Sequence, residues 1–212
     1  MAQFFSLHPD NPQLRLIRAA VKIVREGGVI AYPTDSCYAL GCHIGDKQAM
    51  ERIRRIRNVD ERHHLTLVCR ELSEIGQFAK VDNIQYRLIR ANTPGSYTFI
   101  LRATRDVPRR LLHPRHTIGV RIPQHNVAQA LLTELGEPLL SSTLILPDHG
   151  QALNDAGEIR RHLEHQVDAI LDSGPCGLQV TTVIDLSGDA PVLLREGKGD
   201  VRPFGFVREA LH

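Results

Sequence analysis

The chain has 212 residues, 42% of them hydrophobic and 24% charged, the balance of a globular protein with a sizeable core. A formal net charge of +2 excludes a strongly polybasic protein but leaves room for local basic patches. Tryptophan is absent and aromatics make up 5%, which argues against a base-stacking sheet of the kind that reads single-stranded RNA.

Residues 1–12 lack the charged and long apolar stretches of a signal peptide, and no apolar run approaches a membrane span. The expectation is a cytoplasmic protein with no membrane partner. A first helix is predicted to start at Asp10-Asn11-Pro12, carrying Leu14, Ile17, Val21 and Val24 at helical spacing up to Gly27-Gly28. Val29-Ile30-Ala31 follows as a short strand, which Pro33 ends or confines to a sheet edge because it has no N–H for the ladder. Thr34, Asp35 and Ser36 come at once, displayed at the carboxyl end of that strand, where open α/β sheets bind ligands. Asp35 itself reads as a structural cap.

Asp46 can cap a second helix that turns Met50, Ile53 and Ile56 inward. A strand over 65–69 precedes a short helix on Leu72, Ile75 and Phe78, and Asp82 opens another that Pro94-Gly95 must end. Strands are expected over 97–101 and 117–122, then a helix on Val127, Leu131 and Leu132 closed by Gly136. The apolar, hydroxyl-rich stretch 138–146 reads as a buried strand, and Ile159 and Leu163 mark a last long helix. Strands over 167–171, 182–186 and 192–195 finish the pattern. Such alternation predicts an α/β fold with a mixed sheet. Without a repeat, a low-complexity tract or a linker, 1–212 is expected to be one domain with its core over about 10–200.

The cysteines, Cys37, Cys42, Cys69 and Cys176, form no CxxC pair and are expected to be buried or incidental thiols. His63-His64 are adjacent, and Pro114 separates His113 from His116, so no zinc-site spacing is seen and no protein-ligated metal is predicted. The usual phosphate loops are missing, and Gly197-Lys198-Gly199 has no helix signal after it. Arginine is the notable chemistry. Arg52, Arg54, Arg55 and Arg57 crowd the end of the second helix, and Arg105, Arg109, Arg110 and Arg115 form a second cluster. Arg121 lies inside an apolar strand and Arg195 ends another; a buried guanidinium needs an anionic partner and suits a carboxylate or phosphate.

Several runs in fixed order carry a resemblance: GGVIAYPTDSCYALGC at 27–42, AMERIRRIR at 49–57, NTPGSYTFIL at 92–101, VPRRLL at 107–112, TIGVRIP at 117–123, AQALL at 128–132, TTVIDL at 181–186 and PVLLREGKGD at 191–200. They extend through nearly the whole chain, which resembles the YrdC/YciO family. The resemblance implies a twisted, open, mixed parallel and antiparallel sheet flanked by helices, with a concave basic face. Longer family members carry an additional C-terminal domain, which this chain is expected to lack. It also implies a nucleotidyltransferase that makes threonylcarbamoyl-AMP and pyrophosphate from threonine, bicarbonate and ATP, with Mg²⁺ accompanying ATP. That product feeds the threonylcarbamoyl modification of an adenosine in tRNA.

By the same resemblance Ser36, Arg121 and Thr181 contact threonine. Arg57, Thr117, Thr143 and Arg195 contact the nucleotide, and Arg55 with Arg57 matches the family's Lys-x-Arg and supplies the catalytic cations. The family's Ser-Ala-Asn reads Thr143-Leu144-Ile145 here, so an asparagine amide is replaced by an apolar side chain. The alternative function is a double-stranded RNA or tRNA binder with a reduced pocket, using Arg52, Arg54, Arg109 and Arg110 as its phosphate-binding surface. The Ser36, Thr117, Arg121 and Arg195 set favours the enzyme, since an RNA surface does not need these groups inside a cavity.

Overall fold

The computed structural model describes residues 1–207 apart from the side chain of Arg110, so the RNA contact expected of Arg110 lies outside the described residues. In chain order the elements begin with β1 (Gln3–Ser6), α1 (Leu14–Arg25), β2 (Ile30–Tyr32), β3 (Ala39–His43) and α2 (Lys47–Arg57). There follow β4 (Thr66–Val68), α3 (Leu72–Phe78), β5 (Ala79–Lys80), α4 (Asn83–Ala91) and β6 (Tyr97–Ala103). The chain continues through β7 (Thr117–Arg121), α5 (Asn126–Leu135), β8 (Leu139–Thr143) and α6 (Ala156–Leu163). It finishes in β9 (Ala169–Asp172), β10 (Thr182–Asp185) and β11 (Val192–Arg195).

The eleven strands among the described residues join one open sheet in the order β1-β9-β2-β3-β8-β4-β7-β6-β10-β11, with β5 added on β6. The sheet is mixed. β1 with β9, β9 with β2, β4 with β7 and β6 with β10 run parallel, and the remaining neighbours run antiparallel. β2 lies between β9 and β3, so Pro33 ends an interior strand and does not mark an edge. Alternate residues of each strand point to opposite faces. Thus Ile30, Tyr32, Ala169 and Leu171 pack with Ile17, Val21 and Val24 of α1 and Val127, Leu131 and Leu135 of α5. Ala31, Leu40, Leu67 and Ile170 pack with Met50 and Ile53 of α2 and Ile159 and Leu163 of α6. With both faces covered, the central strands are buried at nearly every position and carry little period-2 signal. β3 escapes prediction for that reason, and β1 and β5 escape it because they are short.

The helix caps follow the expected chemistry. Asp46 accepts from the Ala49 N–H at 2.8 Å, Asp82 forms a reciprocal capping box with Gln85, and Gly136 ends α5 in the left-handed region. The first helix, however, begins at Leu14 and not at Asp10-Asn11-Pro12, and Leu14 is half exposed. His8 Nδ1 accepts the backbone N–H groups of Asp10 and Asn11, which makes that stretch a turn. The expected last long helix is the eight-residue α6. No helix among the described residues is long and apolar enough to cross a membrane.

Candidate functional site

A cavity of about 370 Å³ opens between the end of α2, the end of β8 and the β10–β11 pair. Arg57, Thr143, Thr181 and Arg195 line it, together with His63 and Thr98. Arg57 is the last residue of α2, which stops because Asn58 takes the left-handed conformation at φ 51°. Its Nε donates to the Ile145 carbonyl at 2.9 Å and its Nη1 to Ser142 Oγ at 2.7 Å. Arg195 donates from Nε to the Thr181 carbonyl and from Nη2 to Thr181 Oγ1, both at 3.0 Å. Thr181 Oγ1 also bonds Thr98 Oγ1 at 2.9 Å.

Both arginines are half-buried and held by neutral oxygens, with no carboxylate pair among the described residues. Burial lowers the Arg57 pKa and repulsion from Arg195 lowers it further; burial does the same at Arg195, with Arg121 adding repulsion. His63 falls from the ordinary 6.5 to about 4, first through burial and then through Arg57 and Arg195. Two partly desolvated cations that repel each other across a cavity make a field suited to a polyanion. Thr117, the expected nucleotide contact, does not line the cavity: it is buried behind the lining residue His64, its Oγ1 bonded to His64 Nε2 at 3.1 Å, and His64 stacks on His113 at 4.2 Å between ring centroids.

Ser36 and Arg121 lie in an adjoining buried network and do not line this cavity. The anionic partner that buried Arg121 requires is within the chain: its Nη2 donates to Asp35 Oδ1 at 2.6 Å and to Thr34 Oγ1 at 3.3 Å. Thr34 Oγ1 in turn bonds Ser36 Oγ at 3.1 Å. Asp35 is therefore half of an ion pair as well as a turn residue, and it also accepts from Ser96 Oγ and the Gln124 N–H. Burial pushes its carboxyl up, but the Arg121 charge and the Ser96 bond outweigh that and hold the pKa below the ordinary value. The resemblance groups Arg121 with Ser36 and Thr181; its bonds go to Thr34 and Asp35 instead. The networks still adjoin, since both Arg121 and Arg195 act electrostatically on Cys37.

Arg55 is not brought to this site. It is exposed and lines a separate cavity beside Asp168 and His165. α2 stays helical through Arg57, and residues two apart on a helix point to nearly opposite sides. The expected basic surface is also smaller than its residue count. Arg54 is buried and paired with Glu51 at 3.1 Å, and Arg52 is paired with Asp168. Arg109 is exposed. Cys37, Cys42 and Cys69 are buried with pKa values raised chiefly by burial, so they are poor nucleophiles.

Three contributors escape sequence reasoning. Ser142 and the Ile145 carbonyl hold Arg57, and neither carries a local signal. Lys198 reaches from its exposed strap to the Asp35 carbonyl. Its flanking glycines give the signal: a Cβ at Gly197 meets the Val180 carbonyl at 2.3 Å, and one at Gly199 meets the Tyr97 ring at 2.4 Å. The strap packs its glycine backbone closely against Val180, Thr181 and Tyr97.

A family profile covering Sua5, YciO and YrdC, described as "Telomere recombination", matches residues 22–197. The chain is 58% identical over 205 residues to the uncharacterized protein YciO of Escherichia coli K12, covering 96% of this chain and 100% of that one. The crystal structure of E. coli YciO superposes with a TM-score of 0.94. A threonylcarbamoyl-AMP synthase of Halorhodospira halophila is 31% identical over 177 residues, 83% of this chain and 92% of that one. The P. abyssi Sua5 structure complexed with L-threonine has a TM-score of 0.85 at 26% identity, covering 92% of this chain and 57% of that one. On the match over residues 22–197 and on these identities, the chain belongs to the Sua5/YciO/YrdC family.

Proposed function

We propose that this chain is a threonylcarbamoyl-AMP synthase-like nucleotidyltransferase, taking threonine, bicarbonate and ATP with its Mg²⁺ and releasing pyrophosphate. The observation that carries the reading is the pair Arg57 and Arg195, two half-buried guanidiniums facing one cavity on neutral tethers. The ATP phosphates supply the charge they lack, with Thr143 and Thr181 beside them and Thr117 behind His64. Threonine is assigned to the adjoining Ser36 turn. There Arg121 Nε is buried without a hydrogen-bond partner, a donor that an amino-acid carboxylate satisfies. The Halorhodospira halophila synthase relative and the threonine complex of P. abyssi Sua5 support threonine as the substrate.

Little covalent chemistry falls to the protein. The threonine amine condenses with bicarbonate to a carbamate with loss of water, a carbamate oxygen attacks the α-phosphorus, and the bond to the β-phosphate breaks as pyrophosphate leaves. Positioning and the cationic field carry the rate. Incubating the pure chain with ATP, bicarbonate and threonine should yield pyrophosphate and an adenylate of the expected mass. Absence of both, with ATP shown to bind, overturns the reading.

A second reading, binding of double-stranded RNA or tRNA, is favoured by one observation: exposed Arg109, and Arg115, exposed although 4.0 Å from Asp185, lie on the segment whose His113 stacks on the cavity residue His64. Replacing both by glutamine should weaken RNA binding and reduce the salt slope by roughly one for each phosphate no longer neutralised. RNA affinity indifferent to both salt and these changes removes this reading.

A further inference from the structure

We propose that His149, Glu158 and His162 form a binding site for a zinc-class transition-metal ion, separate from the Mg²⁺ that accompanies ATP. Each of the three offers a ligand atom, and these atoms lie within 4.8 Å of one another. The fold assembles them from two pieces of chain. Glu158 and His162 stand four apart on α6 and so share a face, while α6 is fixed by buried Ala156, Ile159 and Leu163 and by the Asp155 cap on the Glu158 N–H. His149 comes from the loop after β8, held in a turn by its N–H donating to the Leu146 carbonyl at 3.0 Å. The rings of His149 and His162 meet edge-on at 5.1 Å between centroids.

A second observation points to a ligand. His149 Nδ1 is buried with no hydrogen-bond partner among the described residues, an arrangement that costs free energy unless something satisfies the nitrogen. Two imidazoles and one carboxylate suit Zn²⁺ and neighbouring late first-row ions, and they disfavour Mg²⁺ and Ca²⁺, which prefer all-oxygen shells. Ligand bonds are about 2.0–2.2 Å, so the donors gather round the ion with whatever side-chain movement that needs. Exposed His162 and half-exposed Glu158 can supply that movement by side-chain rotation. Three protein ligands leave a coordination position open to water.

The ion ties the loop to α6. That loop also carries the Ile145 carbonyl that holds Arg57, and it closes on itself through the Leu153 N–H donating to the Leu144 carbonyl at 3.0 Å. Metal binding therefore stiffens one wall of the arginine cavity.

Calorimetric titration of the tag-free full chain with Zn²⁺ tests the proposal, alongside Co²⁺ absorption as a spectroscopic reporter. One ion per chain is expected, with Co²⁺ showing visible bands and Mg²⁺ giving no heat. H149A and H162A should each lower Zn²⁺ affinity more than about 100-fold, beyond the 10- to 100-fold typical of losing an outer-shell partner. E158Q keeps the shape and should weaken binding while leaving circular dichroism unchanged. H64A, which removes a histidine that is not one of the three ligands, should leave the affinity unaltered. Native-level affinity in H149A, E158Q or H162A, or binding that disappears in H64A, overturns the site, as does the absence of any Zn²⁺ binding by the native chain.

Discussion

At Arg121 and Asp35, side-chain exposures of 8% and 10% place an ion pair in a medium where a lone charge is costly. Replacing Arg121 by methionine keeps much of the volume but strands the carboxylate, so urea denaturation should show a loss of about 3–5 kcal/mol. A loss under about 1 kcal/mol would mean the pair is effectively solvated. Asp35, with its lowered pKa, contributes stability that is present above the ordinary value of 3.8 and disappears as pH falls through the folded value. His63 acts over a higher range. Its pKa of about 4 against an ordinary 6.5 means the unfolded chain binds more protons between those values. Stability supplied by neutral His63 is thus complete above about 6.5 and declines as the pH drops towards 4. A polyanion between Arg57 and Arg195 neutralises two of the charges that depress His63. Saturating sulfate, which does not titrate in this range, should therefore raise the His63 pKa by about one unit in an NMR titration. An unmoved His63 would place the anion elsewhere.

Among the elements, α2 decides which arginines can cooperate. Its unbroken helix from Lys47 to Arg57 carries Arg57 into the cavity and Arg55 away from it. Given a measurable synthase activity, Arg57→Ala should lower kcat by roughly 10²- to 10³-fold, the scale of losing one positioned transition-state donor. Arg55→Ala should leave kcat within about twofold, since an exposed helix residue outside the site has little to lose. Equal losses in both variants would argue for a general electrostatic effect. The turn after β8 is the other deciding element. Ile145 departs from the family asparagine in its side chain, yet it is its backbone carbonyl that holds Arg57. Ile145→Asn should keep that tether while adding an amide, so a folded variant with faster adenylate formation is the expected result. An unchanged rate with ATP and threonine still bound would show that the position does not limit the chemistry.

For the whole molecule, the cavity spans regions of unequal support. Arg57 rests on α2 and β8, which lies between β3 and β4 inside the sheet, whereas Arg195 ends β11, the last strand of the sheet. Val192 and Leu194 are half exposed there. Edge strands open locally at lower cost than central ones, so amides of β10 and β11 should exchange with solvent faster than those of β3 and β8. Pyrophosphate bridging the two arginines should slow exchange at β10 and β11 selectively. Protection that rises evenly across the sheet, or not at all, would contradict a bridging ligand.

Much was legible from local chemistry. The caps at Asp46, Asp82 and Gly136, the apolar periodicity of α2 and α5, and the break at Pro33 all act within a few residues, where composition and spacing settle the conformation. The ordered motifs likewise carried the family and its mixed α/β sheet. Pairings across the chain were not legible. Asp35 meets Arg121 from 86 positions away, Arg57 meets Ser142 from 85, and His149 meets α6 only after the loop has turned back. An isolated arginine reads as a cation seeking an anion; whether that anion is a residue or a ligand depends on which side chain the strand order brings beside it. Tertiary packing gave Arg121 and Arg52 internal carboxylates and left Arg57 and Arg195 on neutral tethers, because the long-range geometry that places an acid within about 4 Å has no local signature.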